Sequence, residues 1–407
     1  MVNLNPNNII PFGIDPSRAN LTTVSIIEKP TLFNIKNAQR GHKGFLNKVT
    51  GLAQKTGKMP VFAVEGNSPF AIGFEFQAYR KGYPVYEITP YELNRMRDIL
   101  CGEDQDDFRD AKTAAMIITQ VPQLLRPAEI DLKQFAIKRL VKARLRLVKD
   151  QTRDINLLHS LLAQIWGPDY KEFFSVLNSP QALQFFANFP TPEGLKIDET
   201  EILNRLRAGG LSYYRTNWGK KRVKVILEMV KELNWVGDDY LNELGLEVAE
   251  FAQDALRRLE RIKALEARLI KMAQGWKEKE IELVRTIPGF NWILACSVVA
   301  LIGDLRRFAG SSDFIAYCGL VLCEKKSGKK EAKKKRKRRN KLLSHAFQLA
   351  AVASLQGSKL SQASYQKKLN EGRKKKQAQR ALTKKLAEIV YAILKNKEPY
   401  DEKRHSN

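Results

Sequence analysis

Two long apolar stripes constrain the fold of this chain more than any other feature of it. Ile137, Val141, Val148, Ile155, Leu158, Leu162 and Ile165 recur at three- and four-residue spacing, interrupted by Arg144 and Gln151. A second run keeps similar spacing through Leu241, Leu244, Val248, Phe251, Ala255, Leu259, Ile262, Leu265, Leu269 and Met272. Only an α-helix returns residues at that spacing to one face, so the middle of the chain is predicted to hold two long helices. An antiparallel coiled coil, a dimer seam and an ordinary helical bundle all satisfy the pattern.

The flanks have a different grammar. From Ile9 to about Leu125, short apolar runs (IIPFGID, LTTVSII, TLFNIK, PVFAVE, YPVYEIT) alternate with helical stretches, which predicts an α/β domain that opens with strands. After Thr286 comes TIPGFNWILACSVVALIGDLRRFAGSSDFIAYCGL, then a basic run, then further helices. The expected divisions are 1–130, 131–280 and 281–407: α/β, then long helices, then a mostly helical C-terminal region. IPGF between two helices has the form of a helix-hairpin-helix, in which Gly289 permits a tight turn whose exposed amides meet a phosphate.

Charge narrows the partners. Of the 407 residues, 70 are Lys or Arg and 44 are Asp or Glu, a formal +26, and such an excess points to a polyanion, most simply nucleic acid. An anionic membrane would want an apolar span, an amphipathic anchor or a lipidation signal beside the charge, and none stands out, so no membrane partner is expected. The opening MVNLNPNNIIPFGID has neither a basic segment nor a long apolar core, so a cytoplasmic location is expected. Cys101, Cys296, Cys318 and Cys323 form no C-x-x-C pair and are expected to be buried free thiols. The histidines His42, His159, His345 and His405 are scattered.

Four acids stand where chemistry is usually done. Asp15 and Glu65 end apolar strands in FGIDPS and VFAVEG, and Asp107 and Asp110 are three apart on a predicted helix, hence on one face. Carboxylates at strand ends meet such a face where a sheet opens. Four like charges repel unless divalent cations neutralise them, and hard oxygen donors suit Mg2+ or Mn2+. Two such ions, roughly 3.5–4 Å apart, polarise a phosphodiester and activate an oxygen nucleophile. Surface acids at strand ends and helix caps are the competing explanation.

Two basic stretches remain. In CEKKSGKKEAKKKRKRRNKLL, Lys325, Lys326, Lys329, Lys330, Lys333, Lys334, Lys335, Arg336, Lys337, Arg338 and Arg339 surround Ser327 and Gly328. Such a run holds a phosphate backbone without reading sequence, and the glycine lets the backbone approach closely. From the residues alone, Ser327 reads as a polar turn residue in a solvated basic loop. LSYYRTNWGKKRVK interleaves Tyr213, Tyr214 and Trp218 with Arg215, Lys220, Lys221 and Arg222, a composition suited to stacking on unpaired bases, though aromatics beside helices also serve as core.

GIDPS, VEGNSP, the D-x-x-D-A of Asp107 to Ala111, TIPG, IGDLRRF, AYCGL and KSGK, in this order, resemble the DEDD-type transposases of bridge-RNA-guided insertion sequences, relatives of Piv-type DNA invertases. The resemblance runs over nearly the whole chain. It implies an N-terminal RuvC-like (RNase H fold) domain, a helical coiled-coil middle and a C-terminal transposase domain. It further implies that Ser327 attacks DNA to form a phosphoserine, that Asp15, Glu65, Asp107 and Asp110 bind the metal, and that a noncoding guide RNA supplies target choice. Double-stranded donor and target DNA, and assembly as a homodimer or homotetramer, follow from the same likeness. Leu322 and Arg339 depart from the family's habits near the serine, which bears on the geometry of its loop. A Piv-like invertase needing no RNA and a metal-dependent junction nuclease are the alternatives.

Overall fold

Ile9 to Ile14 form an unbroken buried run, as a strand covered on both faces requires, and they lie in the central strand β1 (Ile9–Pro16). The computed structural model describes residues 4–402 apart from 28, 67, 103, 105, 129, 211, 232–237, 328–329 and 336–338; for 322–327 and 330–335 it describes the backbone alone. The chain divides into two compact units, 1–132 and 133–407.

In the first unit β2 (Asn20–Ile26) and β3 (Pro30–Lys36) continue from β1 as an antiparallel meander. Helix α1 (Gln39–Thr56) crosses to β4 (Met59–Glu65), parallel to β1 on its other side. Then α2 (Ile72–Arg80) leads to β5 (Val85–Ile88), parallel to β4, and α3 (Pro90–Leu100) and α4 (Asp107–Gln120) precede a short β6 (Arg126–Pro127) antiparallel to β5. Among the described residues this makes a mixed six-stranded sheet in the order β3-β2-β1-β4-β5-β6, the α/β architecture the strand pattern predicted.

Alternation along the strands sends two sets of side chains to opposite faces. Phe12, Ile14, Phe62 and Val64 cluster with Phe45 of α1 and Phe74 of α2, whereas Val61, Ala63 and Ile88 cluster with Ala114, Ile117 and Ile118 of α4. Burying each large apolar side chain contributes about 1.5–3 kcal/mol, so both helical layers are firmly seated.

Among its described residues the second unit is helical apart from one hairpin. It comprises α5 (Leu132–Trp166, entered from the last residue of the first unit), α6 (Tyr170–Phe173), α7 (Pro180–Asn188), α8 (Glu199–Ala208), α9 (Asn217–Lys231) and α10 (Asp239–Ala273). There follow α11 (Glu278–Arg285), α12 (Trp292–Ile302), α13 (Ser311–Tyr317), the hairpin β7 (Leu322–Ser327) and β8 (Lys330–Lys335), then α14 (Lys341–Gly357), α15 (Lys359–Asn370) and α16 (Lys375–Asn396). The two predicted long helices are α5 and α10, of 35 residues each, paired antiparallel within the chain. Arg144 Nε donates to Glu266 Oε1 at 2.7 Å, and Arg258 Nη1 donates to Asp154 Oδ2 at 2.7 Å. The polar interruptions in the first stripe are thereby satisfied: Gln151, buried, donates from Nε2 to Asn178 Oδ1 at 2.7 Å.

Apolar cores close the two ends of this helix pair. One gathers Leu158, Trp166, Phe185 and Phe186 with Val248; the other gathers Ile137 and Leu269 with Val298, Phe314, Phe347 and Val390. Cys296 and Cys318 are buried free thiols as expected, and burial pushes the Cys296 thiol up to about 12; Cys101 is half-buried. Among the described residues no helix is long and apolar enough to cross a membrane.

Candidate active site

Parallel pairing brings two of the four acids to one end of the sheet. Ile14 of β1 is in register with Val64 of β4, so Asp15 and Glu65 follow at the same level on adjacent strands. Strand alternation places both on the face covered by α4, the face of Gly13 and Ala63.

Helix α4 approaches that face closely because of what β1 lacks. A Cβ on Gly13 would overlap the carbonyl oxygen of Ala111 and the amide nitrogen of Ala115. With Ala111, Ala114 and Ala115 fully buried, small residues on both sides let backbone meet backbone. Asp106 fixes where the helix begins, its Oδ1 accepting from the Arg109 amide at 2.7 Å, which puts Asp107 and Asp110 in the first turn.

The four carboxyl groups therefore feel one another. Burial, then the charges of Asp107, Glu65 and Asp110, push Asp15 up to about 7, and Asp15 shares a hydrogen bond with Asp107. Burial, followed by the charge of Asp110, raises Glu65. Near neutral pH such a group gains from any added positive charge.

The protein supplies one such charge itself, from a residue the sequence reading missed. Arg97 of α3, with its side chain 7% exposed, donates from Nη1 to Asp110 Oδ1 at 2.9 Å and to Asn94 Oδ1 at 3.1 Å. Its Nε has no hydrogen-bond partner. The signal was present: Arg97 stands four residues after buried Leu93, on the inward stripe of α3, where a cation needs a partner. Among the described residues no group of three or more His, Cys, Asp or Glu side chains is arranged to hold a metal ion. The donor chemistry nonetheless fits a hard divalent cation, being oxygen only, mutually repelling and partly buried.

The basic run is a hairpin and not the irregular loop expected of it. Ser327 ends β7 in register with Lys330, which opens β8. Across the hairpin Glu324 is in register with Lys333, and Glu331 with Lys326. Lys325, Lys334 and Lys335 lie on the same two strands, described by backbone alone, while Gly328, Lys329, Arg336, Lys337 and Arg338 lie outside the described residues. At the foot of the hairpin Arg339 lays its aliphatic stem against Gly319 (φ +71°), and the Asn340 amide donates to the Tyr317 carbonyl at 2.8 Å.

Two expected nucleic-acid contacts, Tyr213 and Tyr214, change on the structure. Tyr214 is fully buried, its hydroxyl donating to the Gln181 carbonyl, and Tyr213 packs edge-on against it, so both belong to the core. Trp218 is 80% exposed at the start of α9. Gly289 is explained by packing: with φ +92° its α-carbon lies against α14, where a Cβ would overlap the Ala350 carbonyl oxygen and crowd Ser354.

Comparison with known proteins agrees with this geometry. Residues 12–167 match a transposase family model, the DEDD transposase of IS110, and residues 281–366 match the family described as Transposase IS116/IS110/IS902 family. The chain is 23% identical over 329 residues to the insertion element IS116 uncharacterized 44.8 kDa protein of Streptomyces clavuligerus, covering 78% of this chain and 77% of that one. It is 30% identical over 151 residues to the transposase for insertion sequence element IS1111A of Coxiella burnetii, covering 36% of this chain and 41% of that one. The first unit thus carries an RNase H-like DEDD domain, and a mostly helical region follows it.

Proposed function

We propose, from the premise that the chain belongs to the IS116/IS110/IS902 family of transposases and carries their DEDD domain, that it cuts and rejoins DNA through a phosphoserine on Ser327. In this reading Asp15, Glu65, Asp107 and Asp110 hold Mg2+ or Mn2+, a noncoding RNA guides the choice of DNA, and the protein works as a dimer or tetramer. The observation that carries it is the convergence of four carboxyl groups from β1, β4 and α4 on one end of the sheet, where burial and then the neighbouring charges push Asp15 up to about 7.

The chemistry follows from the residues. Ser327 Oγ forms a bond to phosphorus as the bond from phosphorus to a deoxyribose oxygen breaks; the serine proton is released and the departing oxygen gains one. The phosphoserine keeps the energy of the broken phosphodiester, so rejoining needs no nucleotide cofactor. Bound divalent cations would polarise the phosphate and offset the charge that develops on it. Lysines of the hairpin supply backbone affinity without sequence preference, which leaves sequence choice to base pairing. Exposed Trp218, beside Arg215, Lys220 and Lys221, supports a stacking contact with unpaired bases.

The test is to purify the protein with whatever nucleic acid it retains, add matching DNA and Mg2+, and look for a covalent adduct on a denaturing gel. A discrete bound RNA, with an adduct that Ser327→Ala abolishes while nucleic-acid binding persists, is the expected result. Cleavage surviving Ser327→Ala would turn the reading to a metal-dependent junction nuclease. Recombination by RNA-free protein would turn it to an invertase of the Piv type.

A further inference from the structure

Asp15 and Glu65 sit at the ends of separate strands, and backbone pairing between β1 and β4 stops at Ile14 and Val64. Past that point Asp15 pairs outward with Thr22 of β2 and Glu65 outward with Ile88 of β5, so each segment is held by its outer neighbour and not by the other, although a metal site tolerates little drift between its ligands. On the opposite side of the sheet from α4, one carboxamide spans both.

Asn37, between β3 and α1, donates from Nδ2 to the Ser17 carbonyl at 2.7 Å and to the Phe70 carbonyl at 3.1 Å. Ser17 is two residues past Asp15, and Phe70 is five past Glu65. The Asn37 amide also donates to the Ala19 carbonyl at 2.8 Å, which ties it twice to the turn after β1. Its side-chain oxygen has its own partner: His42 Nε2 lies 2.8 Å away, and since a carboxamide oxygen only accepts, the imidazole donates from Nε2. His42 Nδ1 is then the acceptor that faces Gln77 Nε2 at 3.3 Å. His42 is buried against Phe74, and burial lowers its pKa, which favours the neutral ring this arrangement needs. The carboxamide is thus held at its oxygen while its two N–H bonds reach the two segments.

We infer that Asn37, oriented by His42, is a positioning residue that sets the spacing of Asp15 and Glu65 by tying together the segments that follow them. The inference rests on the metal-binding reading of those carboxylates. It assigns Asn37 no contact with metal or DNA.

Full-length protein is titrated with Mn2+ by calorimetry, and amide hydrogen exchange is followed without metal over residues 17–20 and 68–71. Asn37→Asp keeps the shape and turns both donated bonds into repulsions. Mn2+ binding is expected to weaken roughly 10- to 100-fold, the usual cost of removing support from outside the ligand set, and exchange is expected to quicken in both segments. His42→Gln, which keeps an N–H to offer Asn37, is expected to bind Mn2+ within a few-fold of the unsubstituted protein, whereas His42→Phe follows Asn37→Asp; this pair also decides the matter if Asn37→Asp fails to fold. Unchanged Mn2+ binding in both Asn37→Asp and His42→Phe, equal losses in His42→Gln and His42→Phe, or faster exchange in only one segment would each overturn the inference. If the unsubstituted protein binds no Mn2+, the metal reading falls, and exchange alone decides whether the bridge exists.

Discussion

Arg97 Nη1 donates to Asp110 Oδ1 at 2.9 Å, so a guanidinium from α3 stands at the edge of a carboxylate group that α4 and two strands build. The side chains are 7% and 17% exposed, which makes this a poorly screened ion pair. Arg97→Met is expected to cost about 2–4 kcal/mol in the absence of divalent metal, because Asp110 then faces Asp15 and Glu65 with no counter-charge. Mg2+ is expected to raise the melting temperature of Arg97→Met more than that of the unsubstituted protein. Equal shifts in thermal melts with and without Mg2+ would show that Arg97 does not share the electrostatics of the site.

Gly13→Ala introduces a methyl group where the Ala111 carbonyl and the Ala115 amide already lie. Backbone on both sides cannot yield as a flexible side chain does, so a loss of at least about 2 kcal/mol is expected in urea unfolding. Cleavage is expected to fall further than stability explains, since α4 carries Asp107 and Asp110. Gly44, which has open space around its α-carbon, is the control: Gly44→Ala in α1 is expected to be neutral or slightly stabilising.

Asp15 gives the metal-free protein a pH signature. Its folded pKa of about 7 lies above the ordinary value of 3.8, so between the two the folded chain holds a proton that the unfolded chain releases. Stability from this group is full below about pH 4 and is lost as pH rises toward 7. Asp15→Asn, which still offers Asp107 a donor, removes the dependence and is expected to be more stable than the unsubstituted protein at pH 8 in EDTA, on the order of 1–2 kcal/mol. Mg2+ is expected to reverse that order, because only the carboxylate gains from the cation. Melting curves across pH 5 to 8, with and without Mg2+, decide it.

The sequence by itself determined the elements. The stripes from Ile137 and Leu241 specify α5 and α10, and the runs ending in Asp15 and Glu65 specify β1 and β4, because periodicity is a property of local backbone geometry. It also marked the four acids, since a carboxylate at a strand end or in a first helical turn can be recognised without knowing its neighbours. Tertiary structure decided which residues meet. Nothing local in YYRTNW tells buried Tyr214 from exposed Trp218, and nothing local shows that Gly289 admits α14. That the basic run pairs as a hairpin, with Glu324 in register with Lys333 and Glu331 with Lys326, is likewise a matter of strand register that a run of lysines does not announce. Arg97, Gly13 and Asn37 act through Asp110, Ala111, Ser17 and Phe70, partners 13 to 98 positions away in the chain. Such pairings come from packing a sheet between two helical layers, and a one-dimensional pattern carries that information only as an unexplained glycine, a cation on an apolar stripe, or an asparagine between two elements.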